Sequence, residues 1–314
     1  MMVSAFLFSV LHTPFPQVPS SLDDLEKSFA SVSGKNYDFV KLQEINAQVF
    51  GIIESDQLKG PNEFYRAASL LSEFRNSFEV SRVKHELTLC ALAGGDEKSK
   101  AAISHTWDMF LISTGREQRV GTMKIPNEPR FALAPAPKSV LNVMSNPTVA
   151  MEIASKTKSD AEVTIICADD QSVRQQDWSK LTVKQMEEMS KSDKARLKRI
   201  IELLSAGRIV TAEDFDHASL VLQHGSCWRD YSLAHELSIC SLLLGNKKAA
   251  WLSAATYDRM LGSGGYRQRF GTQYGSVGGG KFTLDAFDTT AISDSQRKAL
   301  HCPTLEEAKN RKWD

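Results

Sequence analysis

The sequence predicts an all-α protein built from two tandem copies of a four-helix, helical-hairpin module, arranged in the manner of a helical repeat. Three observations predict it. Apolar residues recur at the 3.6-residue helical period, glycine or asparagine ends most of those stripes after a few turns, and the chain repeats itself at an offset of 150 positions.

The repeat carries the most weight. Glu63 to Met123 falls on Glu213 to Gln273 without a gap, and 20 of the 61 positions are identical, where composition alone gives about 4. Ala68-Ser69-Leu70 meets Ala218-Ser219-Leu220, and His85-Glu86-Leu87 meets His235-Glu236-Leu237. Cys90 meets Cys240, Asp108 meets Asp258, and Gln118-Arg119-x-Gly121-Thr122 meets Gln268-Arg269-x-Gly271-Thr272. Duplication is the economical explanation.

Within the second copy, Leu197, Ile200, Ile201 and Leu204 mark one apolar helix face, and Gly207 follows as a stop. Thr211 with Asp214 three residues on resembles a capping box that opens the next helix, whose stripe is Phe215, Ala218 and Leu222. A third helix runs from about Arg229 through Leu233, Leu237, Cys240 and Leu244 to Gly245-Asn246. A fourth carries Trp251, Ala254, Asp258 and Leu261 and stops at Gly262-Ser263-Gly264-Gly265. The short breaks favour antiparallel hairpins. Glu162 to Cys167 has the β-branched content of a strand, but with no pairing partner nearby it reads as a helix leading into Asp170.

These signals divide the chain into four parts. Residues 1–35 form an N-terminal segment, 36–125 the first and degenerate module, 126–160 a linker and 161–314 the second module. Four prolines between Pro126 and Pro137 give the linker its extended character. Val3 to Leu11 is an apolar run of the length found in a secretory signal, but no Lys or Arg precedes it and no clear Ala-x-Ala site follows. The cytoplasm is favoured on that ground, with a secreted or periplasmic location the alternative if the run is a signal peptide. No other stretch is long and apolar enough to span a membrane, so membrane insertion of the folded part is not expected.

Charge is balanced at 38 basic and 38 acidic residues, and no basic stripe marks a nucleic-acid interface. Lys191 to Arg199 is interleaved with apolar residues at helical spacing and reads as a solvated helix face. Five scattered cysteines give neither a disulfide framework nor a zinc motif, so neither metal nor cofactor is expected. His235-Glu236 lacks the second histidine of a zinc-protease helix, since Ile239 stands in its place. Gly275 to Lys281 resembles a phosphate loop until Phe282, where Ser or Thr would hold magnesium.

The second copy resembles a bacterial domain family of unknown function. The elements that carry the resemblance are Asp170-Gln171-x-x-Arg174, Gln223-His224, Asp258-Arg259 and Gln268-x-Phe270-Gly271-Thr272-Gln273, within Ala168 to Asp314. Two departures stand out. Phe270 replaces the family's tyrosine, and Gly225-Ser226 replaces its Ala-Asp after Gln-His. The family has no established activity, so the resemblance marks a site and not a reaction.

The internal repeat acts as a control for choosing site residues. Polar residues present in both copies read as structural, and His85 and His235 as packing histidines. Asp258, Gln268 and Thr272 suit either a site or a hydrogen-bonded turn. The first copy has Phe74, Met109 and Met123 where the second has His224, Arg259 and Gln273. His217 also belongs to the second copy alone, and its spacing from His224 would place both on one helix face.

The candidate catalytic set is therefore His224, Asp258, Arg259 and Asp170, and the candidate ligand-binding set is Arg174, Gln268 and Gln273. Histidine is the natural general base when a carboxylate such as Asp258 or Asp170 orients it. The guanidinium groups of Arg259 and Arg174 match a carboxylate or phosphate. Two functions fit this pattern. One is a small-molecule site for an anionic ligand, with acid–base chemistry. The other is a helical scaffold that binds a protein partner and catalyses nothing.

Overall fold

The computed structural model describes residues 21–33, 37–73, 77–124, 131–176, 180–275 and 282–311. The apolar run Val3 to Leu11, Phe74 and most of the glycine-rich stretch before Phe282 lie outside them. The described residues are all-α apart from one two-stranded ribbon.

The N-terminal half contributes α1 (Leu22–Val32), α2 (Phe39–Glu54), α3 (Pro61–Leu70), α4 (Phe78–Ala93) and α5 (Glu97–Ser113). Next come α6 (Lys138–Ser145) and α7 (Pro147–Ser155). The C-terminal half contributes α8 (Ala161–Arg174), α9 (Val183–Ser205), α10 (Ala212–Leu222), α11 (Trp228–Leu243) and α12 (Ala249–Ser263). The chain ends with β1 (Tyr274–Gly275), β2 (Thr283–Leu284), α13 (Asp294–Ala299) and α14 (Leu305–Lys309).

Local chemistry explains the boundaries. Thr211 and Asp214 cap α10 reciprocally, as the sequence suggests, and Thr182 with Gln185 does the same for α9. Helix α8 begins at Asp160, whose carboxylate accepts from the N–H groups of Glu162 and Val163. The β-branched run Glu162 to Cys167 is thus helical. Helices α4, α5, α11 and α12 are buried over most of their length, not along one stripe. Several of their buried hydroxyls bond carbonyls of their own helix, Ser238 donating to His235 O and Ser253 to Ala250 O.

Part of the stretch expected to be a linker is helical. Val140, Val143 and Met144 of α6 are buried at i, i+3 and i+4, and Ser104 of α5 donates to Met144 O at 2.6 Å. That short stripe was present in the sequence, behind the prolines that suggested an extended segment.

The halves meet through residues that correspond at the 150-position offset. His85 Nε2 lies 3.1 Å from His235 Nε2, with both rings fully buried. Glu86 of the N-terminal half receives two bonds from Arg269, at 2.8 and 2.9 Å. Reciprocally, Glu236 receives two from Arg119, at 2.7 and 3.0 Å. Trp107 and Tyr257 pack around the two histidines, at ring-centroid distances of 5.0 to 5.7 Å. This is the contact pattern of an isologous dimer interface, contained within one chain.

Candidate functional site

The candidate residues fall into two groups that the structure separates clearly. Asp258, Gln268 and Thr272 hold a turn. Asp258 Oδ1 accepts from the N–H groups of Arg269 and Phe270 at 2.7 and 3.0 Å, and its Oδ2 from the N–H and hydroxyl of Thr272 at 3.1 and 2.7 Å. Gln268 closes the turn with Nε2 donating to the carbonyls of Gln273 and Asp285 and Oε1 accepting from Gln273 N–H.

The same bonds recur in the N-terminal half. Asp108 accepts from Arg119, Val120 and Thr122, and Gln118 bonds Met123 and Phe131. Gly121 and Gly271 occupy φ of 81° and 75° in the matching turns, the left-handed region that glycine enters freely. Burial raises the Asp258 carboxyl above the usual range, against the N–H groups that favour its charge. With its oxygens committed to the turn, Asp258 is not the carboxylate that orients His224.

Asp170 takes that place. It is fully buried near the C-terminal end of α8, and its Oδ2 lies 2.9 Å from His224 Nδ1, although off the line of a straight hydrogen bond. Its Oδ1 accepts from Arg174 at 3.1 Å and from Arg196 at 3.3 Å. Both arginines also bond Asp193, Arg174 at 2.8 Å. Burial alone would raise the Asp170 carboxyl, but His224, Arg174 and Arg196 outweigh it and hold the group below its ordinary value.

Arg196 and Asp193 were not among the sequence candidates. They belong to the charged run read as a solvated helix face, yet Arg196 is turned inward on α9 and its side chain is only 13% exposed. Its place one residue before the apolar Leu197 was the available signal.

His224 does not share a helix face with His217. Helix α10 ends at Leu222, and His224 sits in the following turn, its N–H donating to Val221 O at 3.1 Å. That turn is fixed from α11. Tyr231 donates to Gly225 O at 2.6 Å, and Asp230 accepts from Ser226 N–H at 2.9 Å. Gly225 is required by close approach, since a Cβ there would stand 2.3 Å from Asp230 Cβ.

Arg259 projects from α12 beside this turn. Among the described residues it forms no ion pair, and its Nε is buried without a hydrogen-bond partner. Burial weakens its hold on its proton and nearby Arg174 adds to the effect, while Tyr231 opposes it. Arg174 Nη1 is likewise buried and unpartnered. Arg259 lines a cleft of about 620 Å³ together with Tyr231, Arg267, Gln268, Gln273 and Asp285. That size lies within the range of roughly 300–1,000 Å³ typical of small-molecule sites. Gln273 Nε2 reaches Thr272 Oγ1 at 2.9 Å and Ala255 O at 3.3 Å, so its amide is held in the cleft wall.

No group of three or more histidine, cysteine or carboxylate side chains among the described residues is arranged to hold a metal ion. No described helix is long and apolar enough to cross a membrane. No family model, curated protein or solved structure matches the chain.

Proposed function

We propose that the C-terminal half binds a small anionic ligand in the Arg259 cleft and that His224, oriented by Asp170, serves the bound ligand as a general base. In this reading the chain is a duplicated module whose first copy has lost the site and buttresses the second. The observation that carries the proposal is Arg259 itself. A half-buried guanidinium with no counter-ion and an unpartnered Nε is costly to the fold, and a ligand carboxylate or phosphate would supply the missing charge. The unpartnered Nη1 of Arg174 and the held amide of Gln273 support the same reading.

The Asp170–His224 contact favours the tautomer with the proton on Nδ1, which makes Nε2 the proton-accepting nitrogen of a general base. His224, Arg174 and Arg196 keep Asp170 charged, so a carboxylate stands against the imidazole. The charged and amide groups in the cleft wall, Arg259, Arg267, Gln273 and Asp285, favour a small polar molecule over a protein segment, which would call for a wholly apolar groove.

The test is calorimetric titration of inorganic phosphate and of acetate into the full chain and into Arg259→Met, which installs the residue found at Met109. Binding to the native chain that weakens at least tenfold in the variant is expected. Equal affinity in the two proteins would reject the site.

A further inference from the structure

We infer that the ligand of the Arg259 cleft is zwitterionic, with its anionic group at Arg259 and a cationic group at Asp285. The inference rests on the anion-site reading and names the class of molecule that site takes.

Asp285 lies in the wall of the cleft that holds Arg259. Its backbone is fixed on both sides, its N–H donating to Gln273 O at 3.1 Å and its carbonyl accepting from Gln268 Nε2 at 2.8 Å. Its carboxylate lies over Gly275, where a Cβ would come within 2.6 Å of Oδ1. The backbone thus sets the carboxylate at the exposed rim of the cleft, beside Gly275. Among the described residues it has no ion-pair partner.

The N-terminal half shows that the fold does not need this carboxylate. There the carbonyl that accepts from Gln118 belongs to Phe131, which makes Phe131 the structural counterpart of Asp285. Met109 and Met123 are the counterparts of Arg259 and Gln273. Three matched positions are therefore apolar in one half and are a cation, an amide and an anion in the other. The turn beside them keeps the same hydrogen bonds in both. An anion alone binds through Arg259 and gains nothing from Asp285, whereas a molecule with separated charges satisfies both walls.

The experiment compares matched pairs of probes that differ only in the ammonium group: butanoate with 4-aminobutanoate, pentanoate with 5-aminopentanoate and hexanoate with 6-aminohexanoate. Each is titrated calorimetrically into the full chain and into Asp285→Asn. This substitution is conservative in shape and leaves the backbone bonds of residue 285 in place. For at least one chain length the amino acid is expected to bind ten times tighter than its partner, and Asp285→Asn to erase the difference. Equal affinities within every pair, or a preference that survives in Asp285→Asn, would overturn the inference. If phosphate still binds in an Arg259-dependent way, the anion site stands and only the zwitterion falls. If phosphate does not bind, both fall.

Discussion

His85 and His235 touch through their Nε2 atoms, and the surrounding groups assign their protons. His235 Nδ1 lies 3.0 Å from Ser253 O, a pure acceptor, so that nitrogen carries the proton and Nε2 accepts. His85 Nε2 is then the donor, and its Nδ1 faces the Thr106 hydroxyl at 3.3 Å. Burial depresses both imidazoles, His85 far below the ordinary value with help from the facing ring, and His235 to about 3. The unfolded chain takes up protons below about pH 6.5 while the folded chain does not. Stability is therefore full above that pH and falls with acidification, until the folded-state value is reached. Denaturant unfolding between pH 7 and pH 4 should show a loss of on the order of 1.4 kcal/mol per pH unit for each histidine. His235→Gln should flatten that slope.

Asp258 has a different weight from the one its place among the catalytic candidates suggested. Asp258→Asn removes the charge that four donors address and should cost about 2–3 kcal/mol in denaturant unfolding. Asp108→Asn should cost a similar amount, because the N-terminal turn is built the same way.

At the scale of elements, α4 and α11 carry the glutamates that each half lends to the other. Glu86→Ala takes the bidentate partner of the fully buried Arg269 and leaves it Asp288 at 3.5 Å and backbone carbonyls, and Glu236→Ala releases Arg119 while taking the indole partner of Trp107. Loss of one partner from a buried pair costs about 3–5 kcal/mol. The Glu86 variant should be the more damaging, since Arg269 is fully buried and Arg119 is 17% exposed. Thermal unfolding of the two variants side by side checks the order. Helices α10, α11 and α12 were legible from their stripes, caps and glycine stops. Helix α6 was hidden by its prolines, and the inward side of α9 by its high charge. Arg196 reads as surface until Asp170 is placed beneath it, and that contact joins residues 26 positions apart on two helices. Such pairings leave no local pattern for periodicity to detect.

For the whole molecule, the offset of 150 positions made the all-α architecture legible and separated most of the turn residues from the site residues. Asp258 and Gln268 show how that separation works. Both recur as Asp108 and Gln118, and both serve the turn. Asp285 shows where it failed. The loop before it is longer than its counterpart, because Gln118 bridges Leu133 while Gln268 bridges Phe287. The gapless alignment stops short of that insertion, so Phe131 and Asp285 could be matched only by their hydrogen bonds.

If the cleft binds an anion, Arg259 is maintained for that ligand and not for the fold. The most direct test is equilibrium unfolding of Arg259→Met without any ligand. The variant should be as stable as the native chain or more so, because the change removes a half-buried charge without a counter-ion. A loss of more than about 1 kcal/mol would contradict it, and would make Arg259 part of the structural framework.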